Sequence, residues 1–125
     1  MVIVDRFNDS TIAYQGYGRG LNIDFVYKLC DFSSYGLWPD IAIVLDMPVE
    51  IGIERARSRN QQYRGPGNDE SRFEEEDLEF HKKVREGYLQ LHRNFSHRIT
   101  LIDAQGNVEE VRSKVFALIK ERFGL

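Results

Sequence analysis

An α/β fold, a parallel sheet covered by helices on both faces, is the class this sequence predicts. Two observations carry that reading: short apolar runs that each end in aspartate, and helical apolar patterns between them. The runs are Val2–Val4 closed by Asp5, Ile41–Leu45 closed by Asp46, and Ile99–Ile102 closed by Asp103. Continuous β-branched runs suit strands buried on both faces, as in a parallel sheet covered by helices. Between the first two strands, Leu21 to Leu37 reads as helical, with weaker periodicity. After the second, Pro48 fits a first helical turn, with Val49, Ile53 and Ala56 on one face. A longer helix is expected from Glu74 to Phe95, striped by Phe80, Val84, Tyr88, Leu91 and Phe95. Asn107 can cap the last helix, with Glu110 three residues on and Val108, Val111, Val115 and Leu118 facing inward. The segment from Asn60 to Ser71, containing Gly65-Pro66-Gly67-Asn68 between arginines, reads as a mobile lid.

At 125 residues the chain holds one domain with a modest core. Its 42% apolar and 30% charged residues are ordinary for a soluble globular protein. No apolar run is long enough to cross a bilayer and no basic-then-apolar leader is read, so no membrane partner is expected. A single cysteine, Cys30, cannot form an internal disulfide, which points to a reducing cytoplasm. The net charge of −3 argues against a nucleic-acid partner. Charge is segregated, however. Arg55, Arg57, Arg59, Arg64 and Arg72 precede an acidic cluster at Glu74, Glu75, Glu76, Asp77 and Glu79, a hint of a local anion site.

Asp5-Arg6 closes the first strand, and ligands of open α/β sheets collect beyond the carboxyl ends of strands. An aspartate there can hold magnesium through water, and an arginine can clamp phosphate oxygens bidentately. A solvated strand-end pair is the plainer alternative. For Arg55 and Arg59, one helical turn apart, it is a charged face near a helix C-terminus. The glycine-rich Gly16-Tyr17-Gly18-Arg19-Gly20 follows a helix and reads as a turn instead of a phosphate cradle. His81, His92 and His97 lack metal-ligand spacing, and Cys30 reads as packed.

The run Asp5-Arg6-Phe7-Asn8-Asp9-Ser10-Thr11-Ile12-Ala13-Tyr14-Gln15-Gly16 resembles the signature after the third strand of thymidylate kinases. The resemblance continues in order through Pro39-Asp40 with Ile41–Asp46, Pro48-Val49-Glu50-Ile51-Gly52, Arg55-Ala56-Arg57-Ser58-Arg59, Ser71-Arg72-Phe73-Glu74, Arg85-Glu86-Gly87-Tyr88 and Ile102-Asp103-Ala104. Spaced motifs in sequence are more specific than any one of them. The resemblance implies a three-layer, P-loop-NTPase-like sheet and transfer of a phosphoryl group from ATP to thymidine monophosphate, with Mg2+. It implies a catalytic role for Asp5, near the metal through water, and for Arg6, Arg59 and Arg64. Ser10, Thr11, Tyr14, Gln15 and Phe73 would bind thymidylate. Arg55, Arg59 and Arg72 would bind ATP. The lid, at about residues 55–73, would close through Arg72 and Glu74.

The resemblance also implies what is missing. No glycine here is followed by lysine, so the G-x-x-x-x-G-K-[ST] loop is absent from this sequence. By this reading the chain begins at the family's third strand, without the first two. The central first strand would lie between Val2–Val4 and Ile41–Leu45. The chain is then expected to rearrange, to pair as a homodimer, or to dock an N-terminal fragment of the same enzyme. Without that partner, it is expected to be an inactive binding half.

Overall fold

The computed structural model describes residues 1–64 and 78–125, residues 60–64 by their backbone alone. Helix α1 (Asn8–Thr11) runs directly into a π-helical segment, Ile12–Gly18. There follow α2 (Ile23–Ser33), β1 (Ala42–Asp46), α3 (Val49–Arg64), α4 (Leu78–Asn94), β2 (Ile99–Asp103) and α5 (Val108–Phe123). β1 and β2 pair in parallel, Ala42 opposite Ile99 and Asp46 opposite Asp103, so both carboxyl ends carry an aspartate at one edge of the sheet. The α/β class with parallel strands is therefore observed, over two strands among the described residues.

The core lies where α1, the π segment and α4 meet. Ile12, Ala13, Val26, Cys30, Val84, Leu91 and Ile99 are buried there, flanked by Tyr14, Tyr17, Phe80, Tyr88 and Phe95. The expected stripe of the long helix is thus the face that packs. Glycine makes the close approach possible. A Cβ on Gly87 would stand 2.8 Å from Cβ of Tyr17, and one on Gly18 would stand 2.7 Å from the Phe80 ring. Across this core, Arg98 grips Asp9 with two hydrogen bonds of 2.7 and 2.9 Å. The pair is buried, and the guanidinium also lies over the Trp38 and Phe95 rings. Burying both charges is tolerable because each satisfies the other.

Caps account for several boundaries. The Asn22 side chain accepts from Phe25 N–H at the start of α2, and Asn107 accepts from Glu110 N–H at the start of α5. Gly124, at φ 66°, closes α5 in the left-handed region that glycine adopts without cost.

Four expectations change. Val2–Val4 forms no strand and is exposed, because among the described residues β1 pairs with β2 alone and nothing offers the first run a ladder. α3 continues to Arg64, so the loop does not start at Asn60 and residues 55–64 of the expected lid are helical. Residues 65–77, which hold the rest of the lid, lie outside the described residues. Gly16 and Gly18 belong to the π segment, and the chain turns only at Gly20, where φ is 79°. In α5, Val108 is exposed while Val111, Val115 and Leu118 are half-buried, since β2 is the main surface against which that helix packs.

Candidate functional site

The short helix after Arg6 places its polar side chains by simple periodicity. Ser10 and Tyr14 are four residues apart, so both face the same side across the junction of α1 and the π segment. That side meets α4. Ser10 Oγ lies 2.5 Å from the Tyr88 hydroxyl, and the Tyr14 ring meets Tyr88 edge-on at 6.4 Å and Phe80 at 6.0 Å. Arg6 joins this group, its guanidinium 5.1 Å from the centre of the Tyr14 ring. The structure thus brings Arg6, Ser10 and Tyr14 together as one cluster. It adds Tyr88, which the sequence places on a helical stripe and in the matching run Arg85-Glu86-Gly87-Tyr88 without assigning it to the site.

Arg6 has φ 66°, a left-handed conformation uncommon outside glycine. Strain of this kind is maintained only where its surroundings hold it, and functional sites are where it collects. Tyr88 is largely buried. Loss of solvent pushes its hydroxyl above the ordinary tyrosine pKa, and the Ser10 contact pulls the other way. It therefore stays a neutral hydroxyl, able to donate or accept. The cluster offers one cation, three hydroxyls and aromatic faces, a chemistry suited to a phosphorylated ligand with a planar base.

Thr11 is exposed and Gln15 half-buried on the same helical run, and no hydrogen bond of either side chain joins them to the cluster. Asp5 is exposed and forms no ion pair among the described residues. No group of three or more His, Cys, Asp or Glu capable of holding a metal occurs among the described residues. A lone exposed carboxylate fits Mg2+, which keeps its waters and takes one or two carboxylates plus phosphate oxygens. It does not fit an all-protein metal cage.

A second group sits on α3. Arg55 donates to the carbonyl of Ala104 (2.8 Å) and to that of Gln105, just beyond the carboxyl end of β2. Gln105 N–H in turn donates to the Asp103 carboxylate at 3.0 Å, which lowers the pKa of that exposed group and braces the turn. Arg55 and Arg59 line an open groove of about 460 Å³ with Ile51, Glu54 and Ser58. A guanidinium fixed by two carbonyls and facing an open groove fits a flat base by cation–π stacking, so the residues here suit the base of a nucleotide. Arg64 continues the same helix, described by its backbone alone, and Arg72, Phe73 and Glu74 lie outside the described residues. Between the two groups, Arg85 of α4 pairs with Asp46 at the end of β1 through bonds of 2.9 and 3.1 Å.

Cys30 is buried against Asn8, with its thiol pushed up mainly by burial, as expected of a packed residue. His92 Nδ1 donates to the Ile99 carbonyl at 2.7 Å, a structural role. No described helix is long and apolar enough to cross a membrane.

Comparison with known proteins adds an independent line. The family model described as thymidylate kinase matches residues 1–115. A curated thymidylate kinase of Oleidesulfovibrio alaskensis is 44% identical over 122 residues, covering 98% of this chain and 57% of the relative. That of Syntrophotalea carbinolica is 45% identical over 116 residues, covering 93% of this chain and 53% of the relative. Among solved structures, a thymidylate kinase from Ehrlichia chaffeensis superposes with a TM-score of 0.63 at 27% identity, covering 93% of this chain and 47% of that one. The chain spans about half the length of the curated relatives it matches.

Proposed function

The chain belongs to the thymidylate kinase family, and from that premise we propose that it supplies the acceptor-side half of an ATP-dependent kinase that converts thymidine monophosphate to the diphosphate. The observation that carries this reading is the convergence of Arg6, Ser10 and Tyr14 with Tyr88 in one cluster. Phosphoryl transfer asks little covalent chemistry of a protein and much positioning and charge stabilisation. In this reading Arg6 holds acceptor phosphate oxygens and stabilises the charge that builds on the transferring group. Ser10, Thr11, Tyr14 and Gln15 orient thymidylate, together with Phe73. Tyr14 crowds the 2′ position of the sugar. Arg55 and Arg59 hold the donor base, and Arg59, Arg64 and Arg72 bring positive charge to the phosphates, with Glu74 closing the segment. Asp5 holds Mg2+ through water; the ion, when bound, neutralises phosphate charge. A cytoplasmic setting is proposed from the single unpaired Cys30.

The sequence has no glycine-lysine step to cradle a triphosphate. Turnover therefore requires the portion of the kinase that this chain does not match. Whether a homodimer also forms belongs to the same proposal.

A coupled ADP-release assay with thymidine monophosphate, ATP and magnesium tests it. The chain alone should release no ADP above background, and should do so when combined with the unmatched portion of a relative. In that combined enzyme Arg6→Ala should lower kcat by about 10²–10³-fold, the loss typical of a transition-state charge contact, with a much smaller change in KM. Equal losses in kcat and in substrate binding, or none, would reject the role given to Arg6. ADP release that stays absent after mixing would favour a non-catalytic binding half.

A further inference from the structure

Tyr88 belongs to the site cluster, yet the reaction proposed above gives it no task. A close approach of two elements fixes its place. α4 runs along the π segment with Gly87 against Tyr17 and with Phe80 and Val84 against Gly18, contacts that leave no room for a Cβ. That approach carries the Tyr88 ring to two residues of one helical run, Ser10 and Tyr14, which stand four apart. It meets Ser10 through the hydroxyl, at 2.5 Å. It meets Tyr14 at an interplanar angle of 84° with centroids 6.4 Å apart, the edge-to-face arrangement that aromatic pairs prefer. The two contacts close a triangle.

Two other side chains touch the Tyr14 ring. Arg6 lies 5.1 Å from its centre, and Phe80 meets it at 6.0 Å and 58°. In the proposed kinase Arg6 also holds phosphate oxygens, so its hold on the ring competes with that contact. Phe80 has no hydrogen-bonding group to direct it. Of the three, Tyr88 is the one tied by a hydrogen bond to the helical run that carries Tyr14 itself. We propose that Tyr88 is a positioning residue, which braces the Tyr14 ring and through it sets the preference for a deoxyribose over a ribose acceptor. This rests on the reading that Tyr14 crowds the 2′ position of the sugar. A ring free to tilt gives way to a 2′ hydroxyl, whereas a braced ring rejects it by clash. Tyr88 acts through Tyr14 and does not itself meet the sugar.

The first measurement needs no catalysis. The chain alone is made with fluorotyrosine, and the Tyr14 fluorine signals are assigned by their loss in Tyr14→Phe. Exchange between the two orientations of that ring reads how firmly it is held. Tyr88→Phe should quicken the exchange by about three- to tenfold, the scale of one net hydrogen bond, while the exposed Tyr35 stays unchanged. An unchanged rate overturns the proposal, whether or not the kinase reading stands. The second measurement uses the chain combined with the unmatched portion of the Oleidesulfovibrio alaskensis kinase. It compares kcat/KM for thymidine monophosphate with that for its ribose counterpart. The preference for deoxyribose should fall by about three- to tenfold with Tyr88→Leu, the scale of an aromatic pair, and by less with Tyr88→Phe, which keeps the ring. A merely structural role would lower both substrates alike, and an unmoved ratio overturns the proposal. In a Tyr14→Leu background, Tyr88→Leu should leave the ratio where it stands. A further fall there would put Tyr88 on the sugar itself and overturn the positioning role. Absence of turnover in the combined enzyme rejects the kinase reading instead, and the exchange rate then decides whether Tyr88 braces Tyr14.

Discussion

Arg98 and Asp9 show how much can hang on two side chains. Both are nearly sealed from solvent, at 10% and 9% side-chain exposure, and each is the other's counter-charge. Asp9→Asn or Arg98→Ala leaves one uncompensated charge inside, which costs about 3–5 kcal/mol. A fall of that size in the unfolding free energy from urea titration is expected; a loss under about 1 kcal/mol would mean that water reaches the pair. The same scale applies to the candidate site. Tyr88→Phe removes only the hydroxyl shared with Ser10, a net loss of about 0.5–1.5 kcal/mol in stability. Ser10 was legible in the sequence because it lies beside Asp5-Arg6. Its partner lies seventy-eight positions away, and neither its helical stripe nor the run Arg85-Glu86-Gly87-Tyr88 tells that it meets Ser10.

Among elements, the junction between the π segment and α4 is the tightest, and two glycines allow it. Gly87→Ala would press a methyl group against Tyr17, with an overpacking cost of about 1–3 kcal/mol. Gly52 is a matched control in α3, where the added carbon would meet only Met47 at an ordinary 3.7 Å. Gly52→Ala should instead stabilise by about 0.5–1 kcal/mol, the helical preference for alanine. Thermal melts of the two variants should move in opposite directions, and movement in the same direction would refute the packing argument. Most elements were readable for local reasons: the β-branched runs of β1 and β2, Pro48 at the head of α3, and Asn107 capping α5. The failures were non-local. Val2–Val4 has strand composition but no neighbour, and composition cannot report whether a ladder partner is present. Val108 has the right period but too little opposing surface.

The molecule as a whole carries an alkaline weakness. Burial raises the pKa of Tyr88 and of Tyr17 above the value of 10.0 for a free tyrosine, with Glu86 adding to the shift at Tyr17. Between the unfolded and folded pKa the unfolded chain binds fewer protons. The tyrosine contribution is therefore fully present below pH 10 and falls as pH rises through the folded value. Denaturant titrations above pH 10 should show that decline, and Tyr88→Phe should flatten it; an unchanged slope would exclude Tyr88 as its source. Family and α/β class were legible across the whole chain because the motifs recur in order, whereas the geometry that gathers Arg6 with Tyr88 was not. The π segment has a further consequence, for insertions and deletions. A π turn holds one more residue than an α turn, here closed by Arg19 N–H on the Tyr14 carbonyl. Removing a single residue between Ile12 and Gly18 lets the segment relax into an ordinary helix. The wide turn is what absorbs the extra residue, so the chain beyond the deletion keeps its direction and only the bulge is lost. A deletion at Tyr14 or Gln15 would therefore leave both α1 and the Gly18 contact with Phe80 in place. Loss of one residue is thus borne more readily here than in the uniform helix α4, where it would turn every later side chain by about 100°.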